Sequence, residues 1–312
     1  MSFSGNVKEE LSRIIPKGRH CQIAELAGIL SCLGKMEDAG EYIEIRLETE
    51  NVVLAKKFFE LLKKAFQVQP RIAIRKTGYL NNNRIYMVTV FENKEMLRII
   101  PALKMQRLEV CPGQEWMVKD SLLQKSCCKR AFIRGVFLAS GSLTDPEKGY
   151  HFEIVCSSDP KAEQLKQQLA FFGIEGKTIP RKGHVVVYIK EGSQIVDALN
   201  VMEAHNSLME LENVRILKEV RNSVNRKVNC ETANINKTVS AAVKQIEDIE
   251  YIKKHMGLDG LSPALSQVAQ VRLQYPEAPL KELGEMLNPP VGKSGVNHRL
   301  RKLSEIADQL RG

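Results

Sequence analysis

No apolar run in this 312-residue sequence is long enough to span a bilayer, so a helical membrane protein is excluded as a class. The seven cysteines are odd in number, contain no CxxC pair and include the adjacent Cys127 and Cys128. A disulfide framework is therefore not expected, and neither is structural zinc. No histidine or cysteine has a partner at ligand or catalytic spacing along the chain, so the expectation is no metal and no cofactor. Core packing is the reading for Cys32 and Cys156. The opening residues MSFSGNVKEELSRIIPKG mix Lys8 with Glu9 and Glu10, which is not the pattern of a signal peptide, and the expected compartment is the cytoplasm.

The chain is long enough for two or three domains with their own cores. Hydrophobic residues at 43% and charged residues at 27% fit a globular protein, and a formal net charge of +9 suggests a polyanionic partner. Where that charge sits matters more than its total.

One short stretch is spelled twice. AELAGILSCLG at 24–34 and AFIRGVFLASG at 131–141 align Ala24 with Ala131, Gly28 with Gly135 and Gly34 with Gly141, each 107 residues apart (131 − 24, 135 − 28, 141 − 34). Downstream, EYIEIRLETENVVLAKKFFELLKKAF parallels GYHFEIVCSSDPKAEQLKQQLAFFGI: an alternating strand, a polar turn and an amphipathic helix. RIAIRKTGYLNNNRIYMVTV and GKTIPRKGHVVVYIK each read as two strands around a turn. Residues 20 to about 100 and 127 to about 200 are thus two copies of one helix-strand-strand-helix-strand-strand unit. Ala24, Gly28 and Cys32, matched by Ala131, Gly135 and Ala139, put small residues at i, i+4 and i+8. Their duplication favours a helix-to-helix seam on a pseudo-twofold axis over two helices that each face only their own sheet.

Composition changes near residue 221. RNSVNRKVNCETANINKTVSAA carries Asn222, Asn225, Asn229, Asn234 and Asn236 with Arg221, Arg226 and Lys227, and reads as a basic connector. A helix with Val239, Val243, Ile246 and Ile249 as its apolar stripe follows, with Gly257 as its stop. Beyond it, Ser262 and Pro263 start a helix that ends near Pro276. A short helix through Leu280, Leu283 and Leu287, a turn at Pro289 and Pro290, and a longer helix complete a three-helix unit. Val296, Leu300, Leu303, Ile306 and Leu310 mark the buried side of the last helix. Its other side carries Lys293, Ser294, Asn297, His298, Arg301 and Lys302, with no acid from 293 to 302. A helix-turn-helix recognition helix needs this arrangement, since its first turns reach base edges while nearby cations neutralise phosphates. The plainer alternative is a solvated basic face on a small bundle.

A second basic region runs from Lys56 to Arg84, where Lys56, Lys57, Lys63, Lys64, Arg71, Arg75, Lys76 and Arg84 face Glu60 alone. Arg71 and Arg75 share one face of a strand, and Ile72 and Ile74 the other. Such a sheet face can lie along a duplex, or the charge can be solubilising only.

LAGILSCLG at 26–34 and IRGVFLASG at 133–141 resemble degenerate copies of the LAGLIDADG motif of homing endonucleases. With the NRKVNCETANINK connector and the terminal GKSGVNHRLRKLSEIADQL, the whole chain resembles the bacterial WhiA family of DNA-binding regulators. The resemblance implies an α+β fold: a duplicated LAGLIDADG-like αββαββ domain followed by an all-α helix-turn-helix domain. The expected division is an N-terminal helix at 1–19, repeat 1 at 20–126, repeat 2 at 127–220, a basic connector and linking helix at 221–257, and the helix-turn-helix domain at 258–312.

In the nucleases, the acid before the motif's last Gly comes from each of two packed helices, and the pair holds a divalent metal that activates water. Here those positions hold Leu33 and Ser140, and the motif's other acid position holds Ser31 and Leu138. Glu37, Asp38, Asp145 and Glu147 follow the motifs, are expected in loops, and are the only nearby substitutes. The expectation is a non-enzyme. The leading reading is a sequence-specific transcription factor that binds double-stranded DNA through Lys293, Ser294, Asn297, His298, Arg301 and Lys302. Arg221, Arg226, Lys227, Arg71 and Arg75 are further candidate contacts. The resemblance implies control of cell division, chromosome segregation or sporulation genes at the nucleoid, and leaves room for other transcription proteins as partners. The rivals are a divergent metal-dependent homing endonuclease with relocated acids, and a nuclease-like domain that serves as an interaction or ligand-sensing module.

Overall fold

The computed structural model describes residues 2–38, 43–77, 83–91, 93–108 and 115–312. The chain forms two compact units, Met1–Lys218 and Glu219–Gly312. Among the described residues no helix is long and apolar enough to cross a membrane.

The first unit opens with α1 (Phe3–Arg13), N-capped by the Ser2 hydroxyl, and then repeats one plan twice. The first copy is α2 (Arg19–Leu33), β1 (Gly34–Asp38), β2 (Ile43–Thr49), α3 (Val52–Phe66), β3 (Arg71–Thr77), β4 (Asn83–Val90) and α4 (Asn93–Leu103). A hairpin of β5 (Met105–Leu108) and β6 (Glu115–Val118) separates the copies. The second copy is α5 (Ser126–Ser140), β7 (Gly141–Leu143), β8 (Phe152–Cys156), α6 (Asp159–Ala170), β9 (Lys177–Arg181), β10 (His184–Ile189) and α7 (Gly192–Met202). The antiparallel sheets have the same order, β1-β2-β4-β3 and β7-β8-β10-β9. The bounds of α2 and α5 differ by 107 at both ends (126 − 19 and 140 − 33), as do the starts of α3 and α6 (159 − 52).

Each copy therefore has the expected αββαββ order and adds a closing helix, α4 or α7, beyond the unit expected from the sequence. Helix α2 is buried on every side from Cys21 to Ser31, Gln22 and Glu25 included, as befits a helix at the centre of a core. Its main neighbour is α5. Inward residues of the sheet, Ile45, Leu47, Val88 and Val90, pack beneath α3 with Phe58, Leu61 and Leu62 in one continuous core. Helix α3 starts at Asn51, whose side-chain oxygen accepts from the Val53 and Leu54 amides.

A single helix, α8 (His205–His255), runs 51 residues, and so the polar stretch 221–236 is helical. The expectation of a separate connector is corrected for a simple reason. Between His205 and Met256 there is no glycine or proline, and asparagine lowers helix propensity only modestly. Its first residues are held by Glu10, whose carboxylate accepts from the Asn206 and Ser207 amides and the Ser207 hydroxyl.

The second unit comprises the rest of α8 with α9 (Pro263–Gln274), α10 (Leu280–Glu285) and α11 (Lys293–Arg311). Ile249 and Ile252 of α8 pack on Val268, Leu283, Leu287, Val296, Leu300 and Leu303. Val239 and Val243 stay exposed, so the core stripe of α8 begins later than the sequence suggests. In α11, Ala307 completes the buried row in place of Leu310, which is exposed.

Candidate nucleic-acid interface

The turn between α10 and α11 depends on Gly284. Its carbonyl accepts from the Val291 amide at 2.9 Å, and a Cβ at this position would collide with the Val291 carbonyl oxygen and approach Val296 Cγ2 to 3.1 Å. The start of α10 is tied to its neighbours by buried Arg272. Its guanidinium donates to Gln245 Oε1 at 2.7 and 3.0 Å and to the Ala278 carbonyl at 2.7 Å. At the far end, Arg311 pairs with buried Asp248 at 2.7 Å and fixes α11 along α8. Helix α11 is thus held at both ends, with its outer face free.

That face carries Lys293, Ser294, Asn297, His298, Arg301 and Lys302, all exposed. At 100° per residue, their positions (0, 1, 4, 5, 8 and 9 from Lys293) fall on one half of the helix surface. Lys293, Asn297 and Arg301 form one row, and Ser294, His298 and Lys302 the next. No side-chain cap covers the α11 N-terminus, where Gly292 is the N-cap. Lys293 and Asn297 also border a cleft of about 810 Å³ shared with Lys237 and Arg272.

Arg221, Arg226 and Lys227 are exposed on α8. Helical geometry turns Arg226 about 140° and Lys227 about 240° from the direction of Arg221, so the three do not share a face.

On the first sheet, Arg71 pairs with Thr89, Thr89 with Arg46, and Arg46 with Lys35, which puts four residues of one row on the same face. Arg46 is paired with Glu44 at 2.7 Å and Glu48 at 3.7 Å, and Lys35 with Glu48 at 3.2 Å. The face is therefore of mixed charge rather than uniformly basic. Arg71 lies over the Phe91 ring, 4.0 Å from its centroid, and Arg75 is exposed further along β3. On the opposite face Ile72 and Ile74 remain more than half exposed, because β3 is an edge strand that α3 covers only in part.

Lys57, counted by sequence among the surface cations, is fully buried. Its ammonium stands 2.9 Å from Glu25 Oε1 and also donates to the Leu11 and Ile14 carbonyls. Arg134 donates to both oxygens of Glu25, at 3.2 and 3.1 Å, and to Glu203 at 2.7 Å. Burial pushes the Lys57 pKa below its ordinary value despite Glu25 beside it. Burial also works against the Arg134 charge, but Glu25 and Glu203 outweigh it and raise that pKa. No spacing rule pairs residues 25, 57, 134 and 203.

The motif helices α2 and α5 meet as the repeated small residues suggest. A Cβ on Gly28 would stand 2.7 Å from the Phe132 carbonyl oxygen, and one on Gly135 would strike the Glu25 carbonyl oxygen. Phe132 is the counterpart of Glu25 in the second copy (132 − 25 = 107), so the two contacts are one contact related by the pseudo-twofold axis. At the C-terminal end of the pair, where the nucleases place their acids, Leu33 and Ser140 are half-buried. The Ser140 hydroxyl lies 3.3 Å from its own helix's Val136 carbonyl and 3.6 Å from Cys32 Sγ. Glu37 and Asp38 end β1 instead of forming a loop, and their side chains lie outside the described residues. Asp145 and Glu147 sit in the loop after β7, where Asp145 Oδ1 accepts from the Glu147 amide at 3.0 Å.

At the N-terminal end of the same pair, His20 and Cys21 meet Cys127 and Cys128. Ligand spacing along the chain does not reveal this set, because its two halves are separated by a whole repeat. The signal was available all the same: adding 107 to 20 and 21 gives 127 and 128.

Three family models match the chain: the WhiA N-terminal LAGLIDADG-like domain over residues 19–100, the WhiA LAGLIDADG-like domain over 129–221, and the WhiA C-terminal HTH domain over 224–307. The chain is 51% identical to the probable cell division protein WhiA of Lachnoclostridium phytofermentans over 312 residues, covering all of both chains. It is 49% identical to the protein of the same name from Alkaliphilus oremlandii over 313 residues, covering 99% of this chain and 98% of that one. Among solved structures it is similar to full-length WhiA from Thermotoga maritima, with a TM-score of 0.59, 26% identity and 99% of each chain covered.

Proposed function

The chain belongs to the WhiA family, and from that premise we propose that it is a sequence-specific regulator of transcription that binds double-stranded DNA and is not an enzyme. The observation that carries the reading is the outer face of α11. Lys293, Ser294, Asn297, His298, Arg301 and Lys302 are exposed together on the second helix of a helix-turn-helix, and no acid lies among them. In this reading Asn297 and Arg301, central on the face, read base edges in the major groove, with Ser294 and His298 beside them. Lys293 and Lys302 contact phosphates on either side. Arg221, Arg226 and Lys227 add sequence-independent attraction along α8, and Arg71 and Arg75 offer phosphate contacts from the first sheet.

The genes controlled are those of cell division, in keeping with the names of the relatives, and extend in this reading to chromosome segregation and sporulation. The protein then works at the cytoplasmic nucleoid, alongside other transcription proteins. The pairing of Lys35 and Arg46 with Glu44 and Glu48 favours a second role for the duplicated domain, as an interaction or ligand-sensing surface. Domains at 20–126 and 127–220 would carry that surface, and 258–312 the base readout.

The test is binding of the full-length protein to a genomic fragment library in the presence of Mg²⁺, with recovered fragments checked for strand breaks. Selective recovery of intact promoter fragments is the expected result. Recovery without sequence preference, or site-specific breaks, would overturn it.

A further inference from the structure

We propose that His20, Cys21, Cys127 and Cys128 form a tetrahedral Zn²⁺ site that joins the two halves of the duplicated domain at the N-terminal end of the α2–α5 pair. The four donor atoms, one imidazole nitrogen and three sulfurs, all lie within 4.8 Å of one another. His20 Nδ1 stands 3.2 Å from Cys21 Sγ, 3.2 Å from Cys128 Sγ and 4.0 Å from Cys127 Sγ. Bonds of about 2.3 Å to sulfur and about 2.0–2.1 Å to nitrogen, set at tetrahedral angles, place nitrogen and sulfur about 3.6 Å apart. The three observed distances bracket that value. Three thiolates and one imidazole are a structural zinc set, and soft sulfur disfavours Mg²⁺ and Ca²⁺.

Each helix contributes the second and third of its residues, since α2 starts at Arg19 and α5 at Ser126. Neither helix start is capped by a side chain, and the four ligands lie in the first turns of the two helices, at their positive dipole ends. A Zn²⁺ ion with three thiolates and a neutral imidazole carries one net negative charge, which two helix N-termini stabilise. Cys21 and Cys128 are buried and fix the inner ligands, while His20 and Cys127 are exposed at the rim, where an ion enters. Nδ1 faces the sulfurs, and Nε2 lies on the side of Gly18. On binding, the three thiols release their protons to solvent and the imidazole coordinates in its neutral form through Nδ1. The pseudo-twofold axis that brings Gly28 to Phe132 and Gly135 to Glu25 also brings these ligands together.

The experiment uses the full-length chain, purified under reducing conditions without a metal-affinity step. Metal is counted by mass spectrometry, and Co²⁺ is titrated into the metal-stripped protein. The expected result is one zinc per chain, and a cobalt complex with thiolate charge-transfer absorption and the intense visible bands of tetrahedral coordination. Cys127→Ser and His20→Gln, at the exposed rim, should weaken cobalt binding at least tenfold without unfolding the chain, whereas Cys230→Ser should leave it unchanged. Chelation of zinc should lower the melting temperature of the unsubstituted protein and not that of Cys127→Ser. Absence of zinc and of cobalt absorption in the reduced chain would overturn the proposal. So would binding indifferent to His20 and Cys127, or a metal-free chain whose Cys21 and Cys128 are joined in a disulfide. None of these outcomes bears on DNA binding, so the site stands or falls separately from the proposed function.

Discussion

The backbone carbonyl of Glu25 occupies the space that a Cβ on Gly135 would need. This contact, with its symmetric partner between Gly28 and the Phe132 carbonyl, explains why the two motifs keep glycine at that step although most of their other side chains differ. Gly135→Ala must push α5 away from α2 along the whole seam, and overpacking of this kind costs about 1–3 kcal/mol. Gly28→Ala should be milder, because its Cβ would stand 2.7 Å from the facing oxygen. Gly149→Ala, with open space around it, should be close to neutral. Urea unfolding midpoints of the three variants give the order directly.

Glu25 also carries the second prediction. It is the common acceptor for Lys57 and Arg134, and both cations are buried. Glu25→Gln leaves buried Lys57 without a carboxylate and Arg134 with Glu203 alone, and should destabilise the first unit by about 3–5 kcal/mol. Lys57→Met should cost less, since Arg134 still satisfies both Glu25 oxygens. A larger loss in Lys57→Met than in Glu25→Gln would mean that Lys57, not Glu25, organises the cluster.

For α11 the groove geometry separates two kinds of contact. Asn297→Ala or Arg301→Ala should reduce discrimination between specific and mismatched sites, by about 1–3 kcal/mol for each base no longer read. Lys302→Ala should weaken binding to every sequence alike and lower the slope of log affinity against log salt by about 1. Competition binding at several salt concentrations measures both. Unchanged specific affinity in Asn297→Ala and Arg301→Ala would show that this face of α11 does not enter the groove.

How far the fold and the site are legible in the sequence depends on which interactions leave a period. The repeat does, because identical folds keep identical offsets, and Gly28 and Gly135 stand out at 107 residues. The outer face of α11 does as well, since helical spacing sorts Asn297 and Arg301 from Val296 and Leu300. The helical nature of residues 221–236 is hidden by their polarity, although the lack of glycine and proline allows it. The burial of Lys57 leaves no trace, because a lysine on an amphipathic helix reads as solvent-facing unless its distant partners Glu25 and Arg134 are known. His20 and Cys127 are legible only through the repeat, not through ligand spacing.

Arg71 and Arg75 test whether the first sheet touches DNA at all. Their neighbours Lys35 and Arg46 are already paired with acids, so these two arginines carry what free positive charge the open face of β3 offers. The double substitution Arg71→Ala and Arg75→Ala should lower affinity uniformly and reduce the salt slope by up to about 2, with base preference intact. A shift in base preference would place the sheet in a groove instead of along the backbone.

The C-terminal end of the motif helices carries the last prediction. With Leu33 and Ser140 in place of the paired acids, the protein should leave DNA intact in Mg²⁺ or Mn²⁺, and its melting temperature should not respond to either ion. The double substitution Leu33→Asp and Ser140→Asp puts one carboxylate at the last residue of each motif helix, and the Ser140 hydroxyl lies 3.6 Å from Cys32, the neighbour of Leu33. Like charges brought together at the ends of two packed helices repel unless a cation lies between them. The variant should therefore be destabilised without metal and recover part of its melting temperature in millimolar Mn²⁺. Recovery would show that the ends of the helix pair can hold two carboxylates around one ion. A variant that melts low and ignores Mn²⁺ would show that the seam itself has shifted, so that restored acids no longer converge on one ion.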